Sequence, residues 1–358
     1  MLVVILGEGI VASQLAGLFA SHGARTFLVR TSGELGGSSA CAIPNVGLFT
    51  SLEEASNAIR AAAWIIEASE LDLDRRRGLL RRLEDLLLEG ALVTVDESIL
   101  PLSILAEGMS SRLLRRFAIA HFFVPVDRLP LVEIVPSALM PDERTNLLVR
   151  NLRALGRTPM SCRDLPGFIA NRIGFYLLAL ATREAIERKI PFDLVDATAH
   201  SSWGLPRSGV FGLIDLIGVE TTVRLMSTLA DLLPNDLALQ AVMPRGHTLF
   251  EFLAQGVGPR SFYRPRTETR PKQVWRAGQQ QYVDIKVRTD DVKNGAREEE
   301  IASFSKFVSE RVATYVRLIC EEHAISEDVA WEAMRLGYGW SKKAMRVPSG
   351  KKLVWIAA

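Results

Sequence analysis

Residues 2–6, LVVIL, run directly into Gly7-Glu8-Gly9-Ile10-Val11-Ala12, and this join limits the possible folds more than any other stretch. A continuous apolar run suits a parallel strand that is covered on both faces. The segment that follows, SQLAGLFASHG, has apolar residues at helical spacing and ends at Gly23; Arg25–Arg30 (RTFLVR) then reads as a second strand. Strand, glycine turn, helix and strand in that order make a βαβ opening with a GxGxxA turn. Gly7 and Gly9 allow a tight turn and let backbone N–H groups approach a pyrophosphate at the helix N-terminus, and Ala12 holds the third small-residue position. The opening predicts a dinucleotide site; the bland alternative is a structural turn.

The end of the second strand is unusual. NAD-binding units of this type place Asp or Glu there to accept from the ribose 2′-hydroxyl, whereas this chain has Arg30-Thr31-Ser32. A guanidinium suits a 2′-phosphate, and the two hydroxyls can add donors. NAD or NADP is therefore the expected cofactor, with NADP favoured by Arg30. The alternative is an exposed arginine beside a site that holds a dinucleotide weakly.

Strand-like runs recur at Val46–Thr50, Ala63–Ala68, Leu92–Asp96 and Phe117–Phe123, with helical patterns at Ser51–Ala62 and Arg75–Leu88. The charge run DLDRRRGLLRRLED reads as a solvated helix face. Alternating strands and helices imply a doubly wound, mostly parallel sheet, the α/β Rossmann class. From Asp164 the pattern turns helical, so an all-α C-terminal region follows. Four segments are expected: a dinucleotide-binding domain over 1–163, a helical domain over 164–255, a linker over 256–300 and a second helical repeat over 301–358. The repeat rests on an internal echo: Arg183–Gly204 and Arg317–Gly339 both run helix, turn, helix and a Gly/Trp break (WGLP; GYGW).

With 358 residues and a net charge of +2, composition gives no argument for nucleic acid. The Gly-, Pro- and Arg-rich stretch 256–290 contains Phe262, Tyr263 and Trp275, a basic-aromatic mixture that an interdomain segment explains better. Cys41, Cys162 and Cys320 show no metal-ligand or CxxC spacing, so no metal is expected and the thiols read as unpaired in a reducing, cytoplasmic setting. The run MLVVILG is too short for a leader or a membrane span, and no membrane association is expected.

Chemistry concentrates in Arg116–Ile134, RFAIAHFFVPVDRLPLVEI: a strand, a Pro-bounded loop and a second extended run. His121 falls at the end of the first strand and Glu133 in the second run. A carboxylate against an imidazole fixes its tautomer and stabilises the imidazolium, which makes a tuned general base. A core histidine beside an edge-strand glutamate is the alternative.

Taken together, ILGEGIVASQLA, WIIEASELDLDRR, DESILPLSILA, AHFFVPVDRLPLVEIV and DLPGFIANRIGFYLL resemble the L-3-hydroxyacyl-CoA dehydrogenases in order and spacing, and GLPRSGVFGLIDLIGVET and VGPRSFYR continue the match. Residues 301–340 resemble the second helical repeat of the long, hydratase-fused members. The resemblance implies oxidation of a 3-hydroxyacyl-CoA, as in fatty acid β-oxidation. It implies His121 and Glu133 as the base pair, and Ser98 and Asn171 as groups that position the hydroxyl and the thioester carbonyl. It also implies Glu70, Arg76 and Ser98 at the cofactor, beside Gly7, Gly9, Ala12 and Arg30 of the glycine turn and second strand. Ser98 and Asn171 could instead be helix caps.

This chain departs from the family pattern at Val124, where HFFNP has Asn, at Asp96, again for Asn, and at Arg30, for Asp. The helical hairpin that contacts CoA in short members has only Thr31 to Gly47 to occupy, and the chain stops soon after GYGW, leaving no hydratase half. The implied partners are an acyl-CoA substrate and a monomeric or homodimeric state, with a separate enoyl-CoA hydratase as a further possibility. A smaller hydroxy acid as substrate, or a catalytically weak hydratase-associated subunit, are the rival readings.

Overall fold

The computed structural model describes residues 1–31, 43–88, 90–243, 261–268, 271–285 and 295–342. Ser32, Cys41, residues 256–260 and residues 286–294, on which some of the expectations above fall, lie outside them. The chain divides into two compact units, Met1–Phe168 and Ile169–Ala358.

The first unit is an eight-stranded sheet. Its strands are β1 (Leu2–Leu6), β2 (Arg25–Val29), β3 (Val46–Phe49), β4 (Trp64–Glu67), β5 (Leu92–Val95), β6 (Phe117–Phe122), β7 (Leu131–Pro136) and β8 (Thr158–Ser161), in the order β3-β2-β1-β4-β5-β6-β7-β8. Strands β1 to β6 are mutually parallel; β7 runs antiparallel to β6, and β8 parallels β7. The chain winds outward from β1 to β3 and then resumes at β4 on the other side of β1. The carboxyl ends of β1 and β4 therefore flank the switch point where such sheets bind ligands.

Apolar clusters cover both faces of the sheet, which is why Val3 to Leu6 are fully buried without alternation. Helix α1 (Ile10–Ser21) buries Ala12, Leu15, Ala16 and Phe19, a stripe at i, i+3, i+4 and i+7. Burying Leu15 and Phe19 contributes about 1.5–3 kcal/mol each, and the Phe19 ring meets Trp64 edge-on at 5.2 Å. Helices α2 (Ser56–Ala61) and α3 (Leu73–Glu84) lie where helical periodicity predicts them, each shorter than expected. The expected solvated face holds for only part of α3. Arg75, Arg81 and Arg82 are exposed, but Arg76 is buried and Arg77 largely so, because carboxylates of the sheet's carboxyl edge and the next loop reach them. Short helices α4 (Leu102–Leu105) and α5 (Ser111–Leu114) and helix α6 (Asp142–Ala154) complete this unit.

The second unit is helical: α7 (Ala170–Glu187), α8 (Phe192–Ser201), α9 (Phe211–Ile217), α10 (Val219–Leu232), α11 (Leu237–Val242), α12 (Gly295–His323) and α13 (Glu327–Gly337). Helix α7 is apolar on all sides and nearly wholly buried, so it needs cover all round. Helix α12 lies against α7, α8 and α13. Helix α12 takes α7 as its main partner because α10 has one apolar stripe, with Met226 and Leu229, while α7 has a second face to bury. The rings of Tyr176 and Tyr315 stack at 4.0 Å across this contact.

The internal echo has a backbone counterpart. Lys189 and Ala324, each just past the first helix of its pair, both have φ 56°, and Gly204 and Gly339 have φ 70° and 69°. Ile190 donates to the Ala185 carbonyl and Ile325 to that of Cys320, the helix-ending bond of a Schellman turn. All these pairs sit at one constant sequence offset. Trp203 and Tyr338 are equivalent under it, and each reaches the long helix of the other helical pair: Trp203 Nε1 donates to Ser305 Oγ at 2.9 Å and Tyr338 Oη to Asn171 Oδ1 at 2.8 Å.

The expected linker is partly ordered structure. Strands β9 (Tyr263–Arg264), β10 (Gln273–Arg276) and β11 (Gln281–Asp284) form an antiparallel sheet. It is docked by Phe262 and Tyr263 N–H groups on Asp215 and by Tyr263 Oη on Asp196. The basic-aromatic mixture is thus largely packing, with Phe262 buried against Phe192 and Phe211. Among the described residues no helix is long and apolar enough to cross a membrane.

Candidate active site

Every site residue predicted in the first unit gathers along the carboxyl edge of the parallel sheet. The turn after β1 begins with Gly7 at φ 144°, whose N–H donates to Val29 O at 2.9 Å. A Cβ at Gly7 would stand 2.4 Å from the Ala68 carbonyl oxygen, so only glycine fits. Gly9 caps α1 with extended backbone, and the first turn of α1 carries no acidic residue. Its N–H groups thus present an anion-binding helix start. Ala12 is fully buried under that turn. These features fit a dinucleotide pyrophosphate.

Exposed Glu70 sits over the turn, its Oε1 2.5 Å from where a Gly9 Cβ would be. Arg76, expected at the cofactor, is engaged by carboxylates of the sheet edge. Its guanidinium lies 3.0 Å from Glu67 and 2.5 Å from Glu97 and donates to Ser69 O at 2.9 Å, which joins the ends of β4 and β5. Burial raises the Glu67 carboxyl, and Arg76 opposes that rise. Glu97 Oε1 accepts from the N–H groups of Ser98, Ile99 and Leu100 at 2.9, 2.9 and 3.1 Å. Arg76 and Glu97 thereby brace the half-buried turn that carries Ser98. Asp164 caps the next helix, accepting from Leu102 and Ser103.

His121 and Glu133 are direct cross-strand partners on β6 and β7. His121 Nδ1 lies 2.9 Å from Glu133 Oε2, with both side chains buried. Glu133 on Nδ1 assigns the proton there, which makes Nε2 the atom able to take another. Phe123 and Phe168 rings flank the imidazole at 4.2 and 6.0 Å. Asp96, at the end of β5, accepts from the Phe122 N–H at 2.8 Å. Burial pushes its carboxyl up to about 6, against the pull of His121. The histidine thus has a carboxylate partner on β7 and a second acidic group beside it on β5.

In the second unit Asn171 occupies the first turn of α7, and its side-chain oxygen accepts from Tyr338. The neighbouring Arg172 is fully buried and bonds Asp236 at 2.7 Å, Glu322 at 3.0 Å and Tyr315 Oη at 3.0 Å. Asp196 caps the loop before α9 through Val210, Phe211 and Gly212 N–H groups, and burial raises it to about 6. Sequence reasoning missed Glu67, Glu97, Asp164 and Asp196, since a single acidic residue carries no spacing signal. Among the described residues no cluster of three or more metal-ligating side chains forms.

A glycine turn thus stands at a doubly wound sheet's switch point, with a buried His–Glu pair on the same edge. Residues 2–165 match the model of the 3-hydroxyacyl-CoA dehydrogenase NAD binding domain, and residues 167–252 that of the 3-hydroxyacyl-CoA dehydrogenase C-terminal domain. The chain belongs to the 3-hydroxyacyl-CoA dehydrogenase family.

It is 29% identical over 302 residues to a putative fatty acid oxidation complex trifunctional enzyme of Rickettsia felis, covering 81% of this chain and 42% of that protein. It is 30% identical over 169 residues to the mitochondrial hydroxyacyl-coenzyme A dehydrogenase of Sus scrofa, covering 47% and 53%. The matched segments thus span about half the length of these relatives, or less. The structure of 3-hydroxybutyryl-CoA dehydrogenase from Escherichia coli shares the fold, with TM-score 0.69 and 17% identity over 94% of this chain and 89% of that one.

Proposed function

We propose that the chain interconverts 3-hydroxyacyl-CoA and 3-oxoacyl-CoA, a step of the β-oxidation type. The observation that carries the reading is the buried His121–Glu133 pair, 2.9 Å apart on the edge that bears the glycine turn. A nicotinamide dinucleotide, held by Gly7, Gly9 and the start of α1, supplies a hydride acceptor when bound. His121 Nε2 takes the hydroxyl proton of the substrate. Glu133 holds the ring and balances the charge that His121 acquires. Ser98 positions the hydroxyl. Family membership and the absence of metal-ligand or CxxC spacing among the three cysteines support a reducing, cytoplasmic setting for the chemistry, and similarity to a putative fatty acid oxidation complex trifunctional enzyme supports work beside other activities of fatty acid oxidation, an enoyl-CoA hydratase being the partner we propose.

The test is to incubate the protein with acetoacetyl-CoA and NADH or NADPH and follow the nicotinamide absorbance. Turnover supports the reading, and silence with CoA esters alongside activity on free hydroxy acids moves it to a smaller substrate. That rival draws on the short stretch between β2 and β3. Silence with both classes overturns the dehydrogenase reading. Two opposite charges stand at the end of β2. Arg30 supports a 2′-phosphate and hence NADP, and Glu8 supports a 2′-hydroxyl and hence NAD.

A further inference from the structure

The residue between the two glycines is acidic. Glu8 Oε1 accepts from the Thr31 N–H at 2.6 Å, directly after the end of β2. Together with the Gly7 N–H on Val29 O, this ties the glycine turn to the strand end where a ribose-binding acid usually stands. We propose that Glu8 selects the dinucleotide: from the glycine turn it supplies the carboxylate that β2 lacks, and so favours a ribose 2′-hydroxyl over a 2′-phosphate. The proposal rests on the dehydrogenase reading above.

The chemistry follows from what each ligand offers. A hydroxyl can donate to a carboxylate, while a phosphate brings only acceptors and close to two negative charges. Glu70, over Gly9, adds a second negative group along the same turn. Arg30 opposes them. Its backbone N–H is used by Phe49 O, and its side chain makes no ion pair among the described residues. It carries its charge on a long flexible stem, whereas the Glu8 carboxylate is held by a backbone bond, so the held group sets the preference. Arg30 then offsets Glu8 toward the remaining anionic parts of the cofactor.

The experiment is titration of the full chain with NADH and NADPH at one salt concentration, read by nicotinamide fluorescence. Wild type should bind NADH at least about tenfold more tightly. Glu8→Gln keeps an acceptor for Thr31 and removes the charge, so the preference should shrink about tenfold, mainly through tighter NADPH. Arg30→Ala should widen it. Equal binding, tighter NADPH in the wild type, or an unchanged ratio in Glu8→Gln overturns the proposal and leaves the dehydrogenase reading standing. Should Glu8→Gln fail to fold, the wild-type ratio and Arg30→Ala still decide. Binding of neither dinucleotide overturns both.

Discussion

His121 is valuable because its neighbours settle what each nitrogen does. Glu133 takes Nδ1, the two rings hold the imidazole plane, and Nε2 is left as the proton acceptor. Replacing His121 with Ala should lower kcat by about 10²–10⁴, with dinucleotide affinity little changed. Steady-state rates beside a binding titration check this, and near-normal turnover would remove His121 from the mechanism. Asp96 gives a second residue-scale prediction. Its carboxyl is raised to about 6 in the folded protein, above the ordinary unfolded value. The native state therefore binds the proton more tightly, and the stability this gives is complete below about pH 4 and lost as pH rises through about 6. Asp96→Asn mimics the protonated form and keeps an acceptor for Phe122. It should stabilise the protein by up to about 3 kcal/mol at pH 7–8 and by almost nothing at pH 4. Urea unfolding at both pH values measures it; equal effects at the two would refute it.

Elements here are coupled by buried charge as much as by apolar contact. Helix α3 is tied to the ends of β4 and β5 through one guanidinium. Arg76→Met should cost about 3–5 kcal/mol, since Glu67 would keep a buried carboxylate with its counter-charge removed. It should also loosen the Ser98 turn. Denaturant midpoints report the first effect and faster amide exchange at Ser98 to Leu100 the second; a stable variant with slow exchange would show that the brace is dispensable. The echo between the two helical pairs also belongs to this scale. A positive-φ residue at the end of each first helix and a glycine past each second one are sequence features, and the repeated Schellman bonds are their physical content.

At the scale of the whole molecule, the second helical repeat covers α7. Truncation after residue 294 should uncover the α7 face and leave Arg172 without its Tyr315 and Glu322 partners. The product should aggregate or self-associate on size-exclusion chromatography, while a fragment of residues 1–168 remains folded by circular dichroism. A monomeric truncated protein as stable as the full chain would make the repeat an appendage. A large apolar face and a buried guanidinium reduced to its Asp236 partner both act against that outcome.

What the sequence alone determined is whatever depends on near neighbours. Hydrophobic period gave β1 to β7 and α1, because a strand or helix face is written every second or every third and fourth residue. The order of strand, glycine turn and helix put the dinucleotide site at β1, and the strand–loop–strand pattern placed His121 and Glu133 in facing strands. The tertiary structure decided what depends on distant residues. It set the 2.9 Å register of that pair, the burial of Arg76, and the capping of α4 by Asp164. It also set the seating of α12 on α7 and the reach of Glu8 to Thr31. Each of these is a charge or an apolar face satisfied by a group far away in sequence, and desolvation makes that choice of partner costly to change, although no local spacing records it.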